Sequence, residues 1–492
     1  MHEGPTVSDV KRRLLEKYLL GRGLASASPR PLITPRPFGE IAPLALSQEE
    51  LWTRETSRPM PPLYNECVTV RMVGPLEISA LERSLAEVIR RHEIWRTTYD
   101  IRNGQPVQMV HPAPEIVPLP TLDLRSLPGP RREAEAQRLV GEIVRQPIDL
   151  REGPLLRAKL IRMSDSEHRL FLCAHLSIVD GVSVYQVFPS ELAALYSAFS
   201  SGRPSPLKRL AVQFGDYAYS QRHWLHGEEH ARQMIYWRKQ LAGSLPVLNW
   251  PTDHPRPLRE TFRGTIRSFV LRTAASEVAR ELCRREGVTL FMTLAAVLTA
   301  LLHQYTQQED IIIGTLSPAG RKRSEAEMLL GYLINPVALR FDLTGKPTFR
   351  ELLRQTQRLT LEAITNDEIP QGMLARELWP SEDHSRNPFF TVAISLQPPT
   401  PRLDLEWSVT SMDVESGGAP WDLYLAFIDR PEGILGRAQY NSDLFEPETI
   451  TRMLEHFQRF LEAAGAGPGK RLEEISFPQA VVPVNSTLPS QS

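Results

Sequence analysis

The chain of 492 residues is longer than a single compact core needs, so we expect several domains or two large lobes. Its 57 Lys and Arg residues balance 58 Asp and Glu residues, which gives no electrostatic argument for a nucleic acid as the main partner. Three widely separated cysteines, Cys67, Cys173 and Cys283, argue against a disulfide framework or a zinc site and favour a reducing, cytoplasmic compartment.

The sequence also gives no reason to expect a membrane protein. The N-terminus lacks the basic and then apolar pattern of a signal peptide. The most apolar later stretch, residues 290–302, contains two threonines and is shorter than the ~20 residues that a membrane-spanning helix needs. We therefore interpret it as a buried helix.

Residues 1–42 are predicted to form an N-terminal helix followed by a proline-rich linker. Apolar residues at helical spacing occupy residues 8–20, and Gly21 follows as a stop signal. Four prolines between residues 29 and 37 then indicate an extended segment. This helix could either dock on another protein or pack on its own domain.

The first lobe is predicted to span residues 43–205. Residues 79–91 show helical spacing, and Ser79 with Glu82 form a capping-box pattern. Strands are predicted at 155–161 and 170–173, and a helix at 190–198. A turn-rich stretch of Gly, Ser and Pro ends this lobe near residue 205.

The second lobe is predicted to span residues 206–464 and again alternates helices and strands. Strands are predicted at 266–271, 310–314 and 389–396, and helices at 290–302 and 349–364. Residues 465–492 are rich in Pro and Ser, which predicts a flexible tail. The whole pattern predicts an α/β fold.

The most informative stretch is residues 170–181, where an apolar run ends in polar residues. Leu170, Phe171 and Leu172 lead to His175, and Asp180 and Gly181 follow. A bulky apolar run with this ending is typical of a buried strand that delivers polar groups to a site. His175 has no companions at metal-ligand spacing, so we expect no metal site.

Residues 175–181 (HLSIVDG) resemble the HHxxxDG motif of condensation domains from nonribosomal peptide synthetases, within the chloramphenicol-acetyltransferase-like acyltransferases. Further motifs resemble this family in the same order. They are 46–52 (LSQEELW), 91–97 (RHEIWRT), 214–218 (FGDYA), 314–321 (GTLSPAGR), 331–335 (GYLIN), 385–390 (SRNPFF) and 440–445 (YNSDLF). The resemblance covers residues 43–464.

The resemblance implies two chloramphenicol-acetyltransferase-like lobes that form a V around a central tunnel. Donor and acceptor carrier proteins, or neighbouring synthase modules, would deliver acyl and aminoacyl thioesters on phosphopantetheine arms. The chain itself would bind no cofactor. In such domains the acceptor amine attacks the donor thioester and an amide forms.

One departure from the motif bears on the chemistry. The first family histidine corresponds to His175, but the second, which usually acts as the base, corresponds to Leu176. The resemblance makes His175, Asp180 and Gly181 the motif positions, and Arg96 the expected ion-pair partner of Asp180, with Arg91 as the second choice. Because side chains alternate along a strand, His175 is expected to face away from the tunnel and to support the structure.

Three hypotheses therefore remain open at this point. The first is a condensation enzyme that works slowly, by positioning, without the usual imidazole. The second is a non-catalytic domain that recruits a tailoring enzyme or passes the chain onward. The third is an ester-forming acyltransferase of the same fold. The chain would be free-standing or excised from an assembly line.

Overall fold

The structure is a computed structural model. It describes residues 32–57, 60–224, 227–379, 383, 385–403, 405–410, 414–430 and 433–475. The helix predicted at residues 8–20 and the end of the predicted tail, residues 476–492, lie outside the described residues.

The first half of the described chain mixes helices with short strands. Its elements are α1 (Leu46–Ser57), β1 (Asn65–Val73), α2 (Ile78–Arg91), β2 (Thr97–Arg102), β3 (Gln105–Val110), β4 (Thr121–Asp123), α3 (Gly129–Val144), β5 (Leu156–Arg162), β6 (Glu167–His175) and α4 (Phe188–Ser200). The strands and helices predicted in this half are confirmed.

The second half follows the same alternation. Its elements are α5 (Phe214–Trp224), α6 (Glu228–Gln240), β7 (Gly264–Val270), α7 (Thr273–Glu286), α8 (Leu290–Thr306), β8 (Asp310–Ser317), β9 (Asn335–Asp342), α9 (Phe349–Thr365), α10 (Gln371–Leu378), β10 (Val392–Leu396), β11 (Trp407–Thr410), β12 (Leu423–Arg430), β13 (Gly433–Asn441) and α11 (Pro447–Ala466). The predicted α/β class is confirmed.

Two mixed sheets organise these elements. The first has the strand order β11-β1-β6-β5-β4, and the second has the order β7-β13-β12-β10-β8-β9. In the first sheet β6 is central and its residues 170–175 are buried, because the cores on both of its faces cover it. This two-sided burial explains why β6 is a nearly continuous apolar run rather than an alternating one.

Helix α8 is the buried centre of the second half. Its residues 291–303 are all buried, and it packs against α7, α9, α11 and the second sheet. The prediction of a buried helix here is confirmed. No single helix among the described residues has the length and apolar character to cross a membrane, although α7 and α8, which meet at a 109° bend, pass that test as a pair by length and composition alone.

The two halves share structure across the middle of the chain. β11 belongs to the residues assigned to the second lobe, yet it pairs antiparallel with β1 at the edge of the first sheet. Leu329 and Leu330 are also buried in the core of the first half. The second half therefore supplies both a strand and core side chains to the first.

Two local predictions differ from the structure. α2 begins at Ile78 with Glu77 as its N-cap, and Glu82 accepts a hydrogen bond from the backbone N–H of Leu119 at 2.8 Å, so the predicted capping box is wrong. The predicted tail is not loose at its start, because Leu472 and Ile475 are buried in the core of the second half. Single apolar residues in a polar stretch were too weak a signal to predict this packing.

Candidate functional site

His175 is the last residue of β6, and its imidazole is 1% exposed. The backbone N–H of Ser177 donates to His175 Nδ1 at 3.1 Å, and the Ser177 hydroxyl lies 2.8 Å from the same nitrogen. A nitrogen that accepts from a backbone N–H carries no proton, so Nε2–H is the donor and it faces Glu55 Oε1 at 3.1 Å. Both ring nitrogens of His175 are thus engaged by protein groups.

Leu176 has a different position, because it begins a short 3₁₀ turn and lines a large cavity. This central cavity has a volume of about 600 Å³ and is bordered by residues of both halves. Leu176 packs there with Tyr64 and Tyr332, in a small cluster apart from the main cores. Among the described residues of the motif, Leu176 and Gly181 line the central cavity and His175 does not.

Asp180 lies buried beneath the cavity wall, and its partner is Arg321 rather than the predicted Arg96. Arg321 Nε donates to Asp180 Oδ2 at 2.9 Å, and Arg321 Nη2 donates to Oδ1 at 2.6 Å. The Asp180 and Arg321 side chains are 0% and 4% exposed. Asp180 also accepts from the hydroxyl of Ser183 and from the backbone N–H of Leu333. The carboxylate thus joins the two halves of the chain.

The prediction of Arg96 as this partner is wrong, and so is the second choice, Arg91. Arg96 donates instead to the backbone carbonyl of His111, beside the β2–β3 hairpin. Arg91 pairs with Glu191 of α4 at 2.8 Å. Neither arginine contacts Asp180, and the cation that reaches Asp180 comes from the second half.

Gly181 lies close to a side chain that follows β10, and the turn itself does not require a glycine. Its φ angle lies outside the left-handed region that favours glycine, and an added Cβ would stand 2.7 Å from Gln397 Oε1. Gln397 follows β10, so this contact again joins the two halves. A side chain at position 181 would therefore displace the end of the Gln397 side chain.

Glu50 of α1 lines the central cavity and was not recognised in the sequence as a site residue. Its Oε1 accepts a hydrogen bond from the backbone N–H of Gly372 at 2.6 Å. Burial raises the pKa of Glu50 to about 7, although Arg54 and Arg376 favour the ionised form. The cavity therefore contains a carboxyl group that changes protonation near neutral pH.

A Glu50→Gln variant is expected to gain stability over the wild type as the pH rises. The Glu50 carboxyl binds its proton more tightly in the folded state, so the wild type loses stability between its ordinary pKa of 4.5 and about 7. The difference in the free energy of unfolding between Glu50→Gln and the wild type should reach about 2 kcal/mol by pH 8. This is less than the full pKa shift would give, because the Glu50 carboxyl borders the cavity. Urea unfolding of both proteins at pH 5 and pH 8 measures this difference. A difference in the free energy of unfolding that does not change with pH would contradict the expectation.

The wall of the central cavity combines apolar, charged and neutral polar groups. It includes apolar groups such as Leu176 and Trp421 and the cation of Arg54, which donates to Asn387 at 3.4 Å. Burial raises the pKa of the Tyr332 phenol far above its usual range, so this hydroxyl is a neutral hydrogen-bonding group. Within the described residues, no cluster of three His, Cys, Asp or Glu side chains could hold a metal ion.

Comparison with known sequences agrees with the motif resemblance. A family model for the condensation domain matches residues 39–481. The chain is 37% identical over 445 residues to a linear gramicidin synthase protein of Brevibacillus parabrevis, and 39% identical over 459 residues to chondramide synthase cmdD of Chondromyces crocatus. These alignments cover 89% and 93% of the chain but only 9% and 12% of the relatives.

Solved structures with the same fold include the X-domain from teicoplanin biosynthesis. It superposes with a TM-score of 0.79 at 26% identity, and the match covers 91% of this chain and 100% of the other. The X-domain in its complex with OxyB gives a TM-score of 0.77 at 27% identity, covering 92% of this chain and all of that one. The overall fold is therefore shared with these solved structures.

Proposed function

The chain belongs to the condensation-domain family of nonribosomal peptide synthetases, and we propose that it joins carrier-bound acyl and aminoacyl thioesters by amide formation. The central cavity is the site of this reaction. Because Leu176 occupies the position of the usual base, the domain works mainly by holding the amine against the thioester carbonyl.

The observation that carries this proposal is the position of Leu176 in the cavity wall. The cavity persists with a volume of about 600 Å³, although the imidazole is absent from its wall. Orienting two tethered reactants can contribute as much to the rate as general base catalysis does. A retained cavity with polar groups such as Glu50 and Arg54 therefore supports a slow enzyme.

The partners in this reaction are donor and acceptor carrier proteins or neighbouring synthase modules. Members of this family work with carriers that bear phosphopantetheine, and the relatives are far longer multidomain proteins. The pantetheine arms enter the central cavity from the carriers, and the chain supplies the walls that align their acyl groups.

Val182→Trp is expected to abolish the product in the organism that carries this chain, as a deletion of the chain does. Val182 lines the central cavity, so an indole at this position would obstruct it. The matched control is Val110→Trp, because Val110 is 38% exposed on β3 and lies apart from the cavity. Product analysis by mass spectrometry, with thermal unfolding as the folding check, measures the result.

Recruitment of another protein is the second candidate function, and the solved complex of the X-domain with OxyB favours it. In that case product formation depends on a protein that binds the surface of the domain, and it does not depend on the cavity. Full product formation by a folded Val182→Trp variant, together with its loss on deletion, would contradict catalysis in the cavity and favour recruitment.

A further inference from the structure

One part of the central cavity carries two opposite charges that do not pair with each other. Glu66 lies on β1 of the first sheet, and Arg437 lies on β13 of the second. Both side chains line the central cavity, and each contributes to the electrostatic environment of Tyr185 and Tyr424. The two charges thus face a common space from opposite halves of the chain.

Arg437 has room around it because its neighbours in the sheet are small. Its cross-strand partners are Ala426 on β12 and Ser268 on β7. Its Nε is buried without a hydrogen-bond partner among the described residues. A buried guanidinium nitrogen that lacks a partner costs free energy, so this group is prepared to accept a ligand.

Glu66 is the complementary group. The described residues form no ion pair or hydrogen bond with its carboxylate. Burial raises the pKa of Glu66, and the charge of Arg437 opposes that shift only partly. A cationic ligand group beside this carboxylate would relieve the cost of burying its charge.

Among the described residues, Tyr424, Ser395 and Gln397 provide neutral hydrogen-bonding groups at this end of the cavity. The Tyr424 hydroxyl lies 2.7 Å from the Ser395 hydroxyl and accepts from Gln397 Nε2 at 3.3 Å. Burial raises the pKa of Tyr424 to about 12, so this phenol keeps its proton at neutral pH. Among the described groups at this end, Glu66 and Arg437 are therefore the two that can recognise charge.

We propose that Glu66 and Arg437 form a subsite for a donor aminoacyl group with an acidic side chain. Its α-ammonium, which is not the attacking amine, binds Glu66, and its side-chain carboxylate binds Arg437. This rests on the proposed function, because the group must enter the cavity on a pantetheine arm. In a tethered amino acid the thioester consumes the α-carboxyl group, so the ammonium and the side-chain carboxylate are the two charges left. Opposite charges on the two sides of the cavity match this arrangement.

The test is binding of hydrolysis-stable pantetheine amides to the full chain, measured by calorimetry. The glutamine amide lacks the side-chain carboxylate of the glutamate amide, and the N-acetylglutamate amide lacks its α-ammonium. The wild type is expected to bind the glutamate amide about tenfold more tightly than either of the others. Arg437→Met should remove the preference over glutamine, and Glu66→Gln should remove the preference over N-acetylglutamate.

Arg267→Met is the matched control, because Arg267 is exposed on β7 and does not line the cavity. It should keep both preferences. Equal binding of the three amides by the wild type would overturn the subsite and leave the proposed function standing. Failure of all three amides to bind would overturn the proposed function as well, since the cavity would then not admit a pantetheine arm.

Discussion

A Leu176→His variant is expected to form the amide at least about 100-fold faster than the wild type. Leu176 lines the central cavity, so an imidazole at this position would stand where a reacting amine can reach it. A positioned general base contributes roughly 10²–10⁴-fold, and the pKa of histidine is close to the working pH. Single-turnover amide formation from a panel of donor and acceptor pantetheine thioesters measures this gain.

Leu176→Asn is the control for polarity without basicity, and it should give no comparable gain. The rate of amide formation by Leu176→His, relative to the wild type, should increase as the pH rises through about 6.5, where a free imidazole loses its proton. A folded Leu176→His variant with the rate of the wild type would contradict a weakened enzyme and would favour the recruiting function.

Arg321→Ala is expected to lower the free energy of unfolding by about 3–5 kcal/mol, because it leaves the carboxylate of Asp180 buried without a counter-charge. Arg321 donates two hydrogen bonds to Asp180, and it also donates to the Ser183 hydroxyl at 2.8 Å and to the backbone carbonyl of Leu329 at 3.0 Å. These bonds connect the two halves, so the loss affects the cavity wall as well. Urea unfolding at neutral pH measures the change.

Arg96→Ala provides the matched control for this experiment. Arg96 donates to the carbonyl of His111 within the first half, and its loss should cost only about 1 kcal/mol. Arg321→Lys should recover only part of the loss, because an ammonium cannot reproduce the planar two-bond contact with Asp180. Similar losses in Arg321→Ala and Arg96→Ala would contradict the assignment of Arg321 as the structural partner.

Much of the fold could be predicted because its long elements have strong periodic signals. Helix α9 shows a clear apolar face, and β6 is a continuous apolar run that ends at the motif. The family motifs then supplied the arrangement of the two halves, which local patterns cannot specify. Strand β11 was missed because its four residues are too few for a periodic signal, and its pairing with β1 is a tertiary contact.

The ion-pair partner of Asp180 could not be deduced from the sequence for a related reason. Arg321 lies 141 residues from Asp180 along the chain, and no local pattern connects positions at such a separation. The sequence showed the family motif that contains Arg321, but it did not show that Arg321 pairs with Asp180. Arg96 was a plausible cation nearer in the sequence, yet its guanidinium is occupied at the β2–β3 hairpin.

The polar groups of the cavity were not predicted, because the type of a residue does not show whether its side chain is buried. Glu50 sits on an ordinary helix and Glu66 at the start of a strand, where a carboxylate is usually exposed to solvent. Only the packing of the two halves places them in a common cavity. A sequence can indicate that such groups exist, but their unusual protonation follows from tertiary structure.

The pairing of β11 with β1 has a consequence for how this protein is made. During translation β11 emerges long after β1, because Thr410 lies 341 residues after its partner Thr69. One edge of the first sheet therefore stays open while these residues are synthesised, and an open edge can pair with other nascent chains. We expect the yield of native protein to depend on chaperones that shield this edge, and a fragment that ends before residue 407 to aggregate.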